Sequence, residues 1–159
     1  MNFKGKDLTG QDLTGQNLEE ADFTRAILTR ANLKNAKCNG AIFKNAKIVA
    51  ADLENSNLIN AKCNGANFVR ANFTDADLTG ANLTNGLIAR ANCNDANFTG
   101  ATLVNVGGSY VNMYKANLTN AKLNDARFIR ANFRSANFTG ANLTDADLTG
   151  ADLTGAIGI

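Results

Sequence analysis

The chain repeats with a period of five, and that period excludes both of the usual ways of burying one face. Starting at Phe3 and stepping by five gives Leu8, Leu13, Leu18, Phe23, Leu28, Leu33, Cys38, Phe43 and Ile48, and the walk stays in phase to Leu153. All nine Phe and all three Cys fall on this centre position. On an α-helix each such step rotates the side chain by about 140°, so the large residues would spiral around the axis. On a straight strand the same step lands on alternating faces. A single buried face requires the backbone to turn a corner once per unit. Gly and Asn, which tolerate φ > 0, occupy the fifth position of the unit at Gly10, Gly40, Asn60, Gly80, Gly100, Asn120 and Gly140. Ala stands two residues before nearly every centre from Ala21 to Ala156, and Asn or Asp usually precedes the centre. The chain therefore winds into a solenoid, with Leu and Phe filling the bore and Ala where the walls crowd together.

These units resemble the pentapeptide repeat family, whose motif is commonly A(D/N)LxX, and the match covers essentially the whole chain. The resemblance implies an all-β fold, a right-handed quadrilateral parallel β-helix with four pentads, about 20 residues, in each coil. Residues 1–159 would then form a single domain of about eight coils, a rod on the order of 37 Å long at strand spacing, with no capping helices evident. The family is abundant in cyanobacteria, and many members have no assigned role.

Composition narrows the function classes. A formal net charge of +2 supplies no bulk field to attract nucleic acid or membrane. No apolar run approaches the roughly 18–20 residues needed to cross a bilayer, and the start MNFKGKDLTG lacks a signal-peptide core, so the cytoplasm is the expected compartment. The chain has no His, and so lacks the commonest general base near neutral pH. Cys38, Cys63 and Cys93 fall in different columns of the 20-residue frame and are expected as reduced core residues, without a disulfide. No metal site, cofactor or catalytic residue is expected.

In that frame, residues 20 apart become neighbours along the rod. One face then carries the column Asp12, Asn32, Asp52, Asn72, Asn92, Asn112, Asn132 and Asp152, and the next Asn17, Lys37, Asn57, Asp77, Asn97, Asn117 and Asn137. Both are expected to be polar walls hydrogen-bonded from coil to coil. The second face differs. Its corner reads Gly10, Arg30, Ala50, Arg70, Arg90, Tyr110, Arg130, Gly150, and Arg127 lies on the same face. Its pentads between residues 26 and 130 contain no acidic residue, and beside the corner stand Val49, Val69, Ala89, Ser109 and Ile129. Either this corner is one that does not need φ > 0, or the Arg and aliphatic residues form an interface.

The one broken stretch, VGGSYVNMYK over 106–115, lies partly on this face. It keeps the spacing from Leu103 to Met113, so it is an altered wall and not a loop. Phe128, one coil above Gly108, is expected to fill the missing core position. Val106 over Gly86 reads as a small-to-large exchange, and Gly107 as a bare notch between Leu87 and Arg127.

The leading expectation is a non-catalytic scaffold or protein-binding module that engages a protein partner through Arg30, Arg70, Leu87, Arg90, Gly107, Ser109, Tyr110, Arg127 and Arg130. Catalysis would have to come from surface carboxylates such as Asp75 and Asp95, for which an ion pair with Lys115 is a simpler account. Some members of the resembled family look like DNA duplexes and bind type II topoisomerases, giving quinolone resistance. That alternative needs an acidic surface, which this chain lacks. A further alternative is polyanion binding along the Arg corner, though nucleic-acid recognition is poorly supported without a stacking aromatic series. Uncapped coils also permit an end-to-end homodimer.

Overall fold

The computed structural model describes all of residues 1–159 and gives every pentad from the first to the last the same backbone. The second residue of each pentad forms a parallel bridge with the residue 20 later, in an unbroken series from Asn2↔Asp22 to Asn137↔Ile157. Four corners therefore close one coil. The chain winds through nearly eight of them without a slip, and Leu87↔Gly107 and Gly107↔Arg127 carry the register straight through the altered wall.

Each corner is a four-residue turn. The N–H following the corner donates back to the carbonyl of the centre residue, as Ala26 does to Phe23 at 2.9 Å. The fifth residue has φ > 0 at every corner, from 53° at Ala50 to 73° at Gly155, as a type II turn requires at its third residue. The side chain before the centre helps to close the turn. In Asp77–Leu78–Thr79, Asp77 Oδ1 accepts from the Thr79 N–H at 2.9 Å and from its hydroxyl at 2.6 Å. This pairing explains why the sequence prefers Asn or Asp followed two residues later by Thr.

The remaining N–H groups join coil to coil. Phe43 donates to the Lys62 carbonyl at 2.8 Å, Asn72 to Ala51 at 2.9 Å and Asp75 to Asn94 at 3.0 Å. Each standard pentad thus satisfies all of its backbone donors, which lets a chain without helices or long strands bury its walls.

Phe, Leu, Ile, Cys and Met centres fill the bore, with Ala lining it, in one continuous cluster from Leu18 to Phe138. Where Phe recurs in one column the rings stack, Phe3 on Phe23 at 4.8 Å and Phe23 on Phe43 at 4.9 Å between centroids. Cys38, Cys63 and Cys93 are buried and unpaired. Burial pushes the Cys38 thiol up to about 12 and raises the other two as well. Outside, the expected polar ladder forms on the third face, where Asn72 donates to Asp52 at 3.0 Å and Asn132 to Asn112 at 2.8 Å. On the fourth face the coil-to-coil contact runs more often through Thr, as from Asn97 to Thr79 Oγ1 at 2.9 Å.

Two predictions follow from this scaffold. All three thiols should stay unreactive toward a thiol reagent at pH 8 until denaturant unfolds the rod, because thiolate is the reacting form and burial suppresses it. Labelling that precedes loss of circular dichroism would contradict the packing. The carboxylates of Asp7, Asp12, Asp22, Asp147 and Asp152 lie below their ordinary value of 3.8, chiefly because a Thr hydroxyl donates to each and then because a backbone N–H does. A depressed carboxylate stabilises the fold above its unfolded value and loses that contribution as pH falls through the folded one. Urea stability should therefore drop below about pH 4, and Asp→Asn at these positions should flatten the drop.

Candidate partner-binding face

The second face departs from the scaffold at the corner first. Arg30, Ala50, Arg70, Arg90, Tyr110 and Arg130 all have φ > 0, between 53° and 61°. The corner therefore does require the left-handed conformation, and the reading that it had been relieved of it is overturned. A residue with a Cβ adopts that conformation at a cost of roughly 1–2 kcal/mol, less for Asn and Asp. The other corner columns hold Gly, Asn or Asp almost throughout, the exceptions being Glu20, Arg25, Lys115 and Ser135. On the second face alone, six successive corners carry residues that the backbone disfavours.

The side chains at these corners stack along the rod. Tyr110 is 49% exposed, with the Arg90 guanidinium 5.7 Å from its ring centroid on one side and that of Arg130 at 6.0 Å on the other. Arg130 also donates to the Tyr110 hydroxyl at 3.4 Å. Arg70 follows one coil below Arg90, and Arg30 two coils below that. The only ion pairs in the molecule are Lys34–Glu54 and Arg134–Asp152, so none of the five Arg named on this face has a carboxylate partner. Arg127 has Asp147 as its bridge neighbour, where the positive charge adds slightly to the depression of that carboxyl.

The backbone of this face also leaves donors open, as the first face does at Lys44, Asn64, Val104 and Asn124. With Ile, Lys, Leu, Gly or Arg before the centre, there is no side-chain oxygen to close the turn. The N–H groups of Thr29, Val49, Ala89, Ser109 and Ile129 consequently have no hydrogen-bond partner, whereas that of Val69 is taken by Asn67 at 3.1 Å. Three of the free groups immediately precede an arginine, at Arg30, Arg90 and Arg130. These unpartnered donors are a feature that the sequence carried in its missing Asn and Asp but that the column reading passed over.

The altered wall is repacked as expected at Gly108, where a Cβ would lie 2.5 Å from the Phe128 ring and 3.4 Å from Ile88. Phe128 has taken the vacated space. Gly107 is not a bare notch, because Leu87 leans across it and a Cβ there would meet Leu87 Cδ2 at 2.9 Å. Leu87 is itself 45% exposed, so the result is an apolar mound. At Gly86 the backbone itself is close. The nearest neighbours of a Cβ at Gly86 are the carbonyl oxygens of Leu83 and Ala66 at 2.8 and 3.3 Å. Ser109 accepts from the Arg90 N–H at 3.1 Å and is half-buried. On the neighbouring face Lys115 makes no ion pair with Asp95. Its ammonium lies 5.2 Å from the Tyr114 ring centroid instead.

The repeat geometry decides the family. The sequence matches Pentapeptide repeats (8 copies) over 7–45, 26–62, 46–85, 76–106, 88–125 and 122–157. The chain belongs to the pentapeptide repeat family. Its winding is the right-handed quadrilateral β-helix of that family. Among solved pentapeptide repeat structures it is similar to HetL from the cyanobacterium Nostoc sp. strain PCC 7120, a protein involved in heterocyst differentiation regulation. Identity is 25%, covering 99% of this chain and 86% of that one, with a TM-score of 0.48. A pentapeptide repeat protein from the Arabidopsis thaliana thylakoid lumen is 35% identical over 78% of this chain and 69% of that one, with a TM-score of 0.31. QnrB1, a plasmid-mediated fluoroquinolone resistance protein, is 19% identical over 98% and 90%, with a TM-score of 0.40. No curated protein matches the chain. No helix is long and apolar enough to cross a membrane.

If the corner arginines are held for their side chains and not for the fold, Arg70→Asn and Arg90→Asn should leave thermal stability unchanged or raise it. The gain should be about 0.5–1 kcal/mol at each site, as left-handed strain is relieved. Repulsion between neighbouring guanidiniums, about 0.8 kcal/mol at 5 Å in water, would fall as well. A clear loss of melting temperature would make these residues part of the scaffold.

Proposed function

We propose that this pentapeptide repeat protein is a non-catalytic scaffold that binds a protein partner through its second face. One observation carries the reading: six successive left-handed corners are occupied by Arg, Ala, Arg, Arg, Tyr and Arg, where Gly or Asn would cost less. Residues that work against the backbone without forming ion pairs are better explained by an external contact than by the fold. Exposed Leu87 and Tyr110 beside unpaired Arg match the composition of interface centres. The bore is packed throughout and the one surface pocket, lined by Met1, Asn17, Glu19, Glu20 and Asn39, lies off the second face, so binding fits that face better than catalysis. Mimicry of a DNA duplex before a topoisomerase fits poorly. It calls for an acidic wall, and the likeness to QnrB1 extends to the fold alone.

Affinity capture from cells of the source organism tests the reading. The variant Arg70→Asn/Arg90→Asn/Tyr110→Ala should lose a partner that the wild type retains. A control carrying Thr79→Ala, Thr99→Ala and Thr119→Ala on the fourth face should keep it. Equal capture by both variants would remove the second face from the account.

A further inference from the structure

The chemistry of the second face specifies more than a contact; it specifies what the partner must offer. Every charged group this face presents between residues 26 and 130 is a cation. The guanidiniums of Arg30, Arg70, Arg90 and Arg130 have no carboxylate partner. The free backbone N–H groups of Thr29, Ala89 and Ile129 sit next to three of them in the chain. These guanidiniums, joined by a free backbone N–H at Arg30, Arg90 and Arg130, are complementary to carboxylates, which accept from a guanidinium and a backbone N–H together. Lys47 adds a further positive charge, and the pentads of the face between residues 26 and 130 hold no acidic residue.

The same face is apolar one residue inside the corner. Val49, Val69 and Ile129 are half-buried there and Leu87 stands exposed beside them. A phosphate backbone would gain nothing from that stripe, and Tyr110 is the only exposed aromatic on this face, so a series of stacked bases has no platform. An acidic protein segment with apolar residues on its other flank would use both columns.

Geometry selects the conformation of that segment. A strand added to a sheet edge needs donors and acceptors alternating along its length. The free N–H groups here recur only once per coil, at about 4.8 Å, on the side of the coil and not at its edge. A helix satisfies its own backbone and needs only side-chain contacts. Its pitch of about 5.4 Å departs from the coil spacing by about 0.6 Å per turn, a mismatch that long arginine side chains absorb over several coils. We propose that the second face receives an acidic amphipathic α-helix of the protein partner. The helix lies parallel to the rod axis, with its carboxylates on Arg70, Arg90 and Arg130 around Tyr110 and its apolar stripe on Val69, Leu87 and Ile129. This inference rests on the protein-binding reading above and adds the partner's chemistry to it.

Fluorescence anisotropy with synthetic probes tests it on the full chain. The first probe is a labelled helical peptide of about 18 residues, with Leu along one stripe and Glu along the flank that would face the arginines. The second is the same peptide with a central proline, which breaks the helix. The third exchanges every Glu for Gln, and the fourth is a thymidine oligonucleotide. The helical acidic peptide should bind the wild type most tightly, with an affinity that falls as salt rises. Binding should weaken roughly tenfold for Arg70→Asn/Arg90→Asn/Arg130→Asn, a variant chosen because Asn accepts the left-handed corner and keeps the protein folded. The fourth-face control should bind like the wild type. The inference is overturned if the proline or Gln peptide binds as well as the first probe. It is also overturned if the Asn variant binds undiminished, if the oligonucleotide binds more tightly than the peptide, or if no probe binds. Any of these results alongside a face-dependent capture from cells would overturn the acidic helix alone and leave the protein-binding face standing.

Discussion

The structure depends on one local constraint: the backbone enters the left-handed region once in every five residues. That single conformation turns the chain through a corner, and four such corners return it to a point directly above where it started. Neither the bridges nor the bore exists without it. Hydrogen bonds between coils follow because the walls then lie at strand spacing, and the apolar cluster follows because every centre residue points inward. The strain of a Cβ at each corner is the standing cost of this design. Gly and Asn reduce it, and the turn-closing Asn or Asp three residues before offsets part of it.

Against this constraint, deviations acquire meaning. A scaffold built from one repeated unit gives nearly every position an internal control, since the equivalent residue in the next coil meets the same backbone. The second face deviates in two ways that are physically independent. Its corners hold residues unsuited to their conformation, and its outer surface exchanges Thr for Val and Ile. Neither improves the backbone of the rod. Together they create a surface of guanidiniums and apolar groups in which Tyr110 alone gives the arginines an internal partner.

The fold was legible in the sequence because a period of five demands a corner in every unit, and the resemblance to pentapeptide repeats implies four corners per coil. Phe23, Phe43 and Phe98 needed no context beyond their spacing to be placed in the bore, and the Asn ladder of Asn72 to Asn132 appeared once residues were read in columns. Phe128 filling the space at Gly108 was equally readable, because both occupy centre positions one coil apart. What the columns could not give was conformation and side-chain direction. Residue preference leaves open whether the Arg corner escapes φ > 0, and the backbone closes that alternative, because preference and geometry disagree there. Leu87 covers Gly107, and Lys115 turns to Tyr114 and away from Asp95, because flexible side chains choose among neighbours that a column leaves equivalent. The candidate residues lie on one face, as the columns place them, while the shape of that face came only from coordinates.

The claim on which the rest stands is that residues 20 apart are vertical neighbours on the second face. Paired cysteine substitutions measure this directly, because a disulfide forms only between Cα atoms within about 7 Å. Asn67→Cys with Leu87→Cys, one coil apart at about 4.8 Å, should close a disulfide on mild oxidation, seen as a loss of two thiols by mass spectrometry after unfolding. Asn67→Cys with Asn92→Cys, placed on adjoining faces, should keep both thiols free. The reverse outcome would contradict the winding, and with it the Arg–Tyr–Arg column that the functional account is built on.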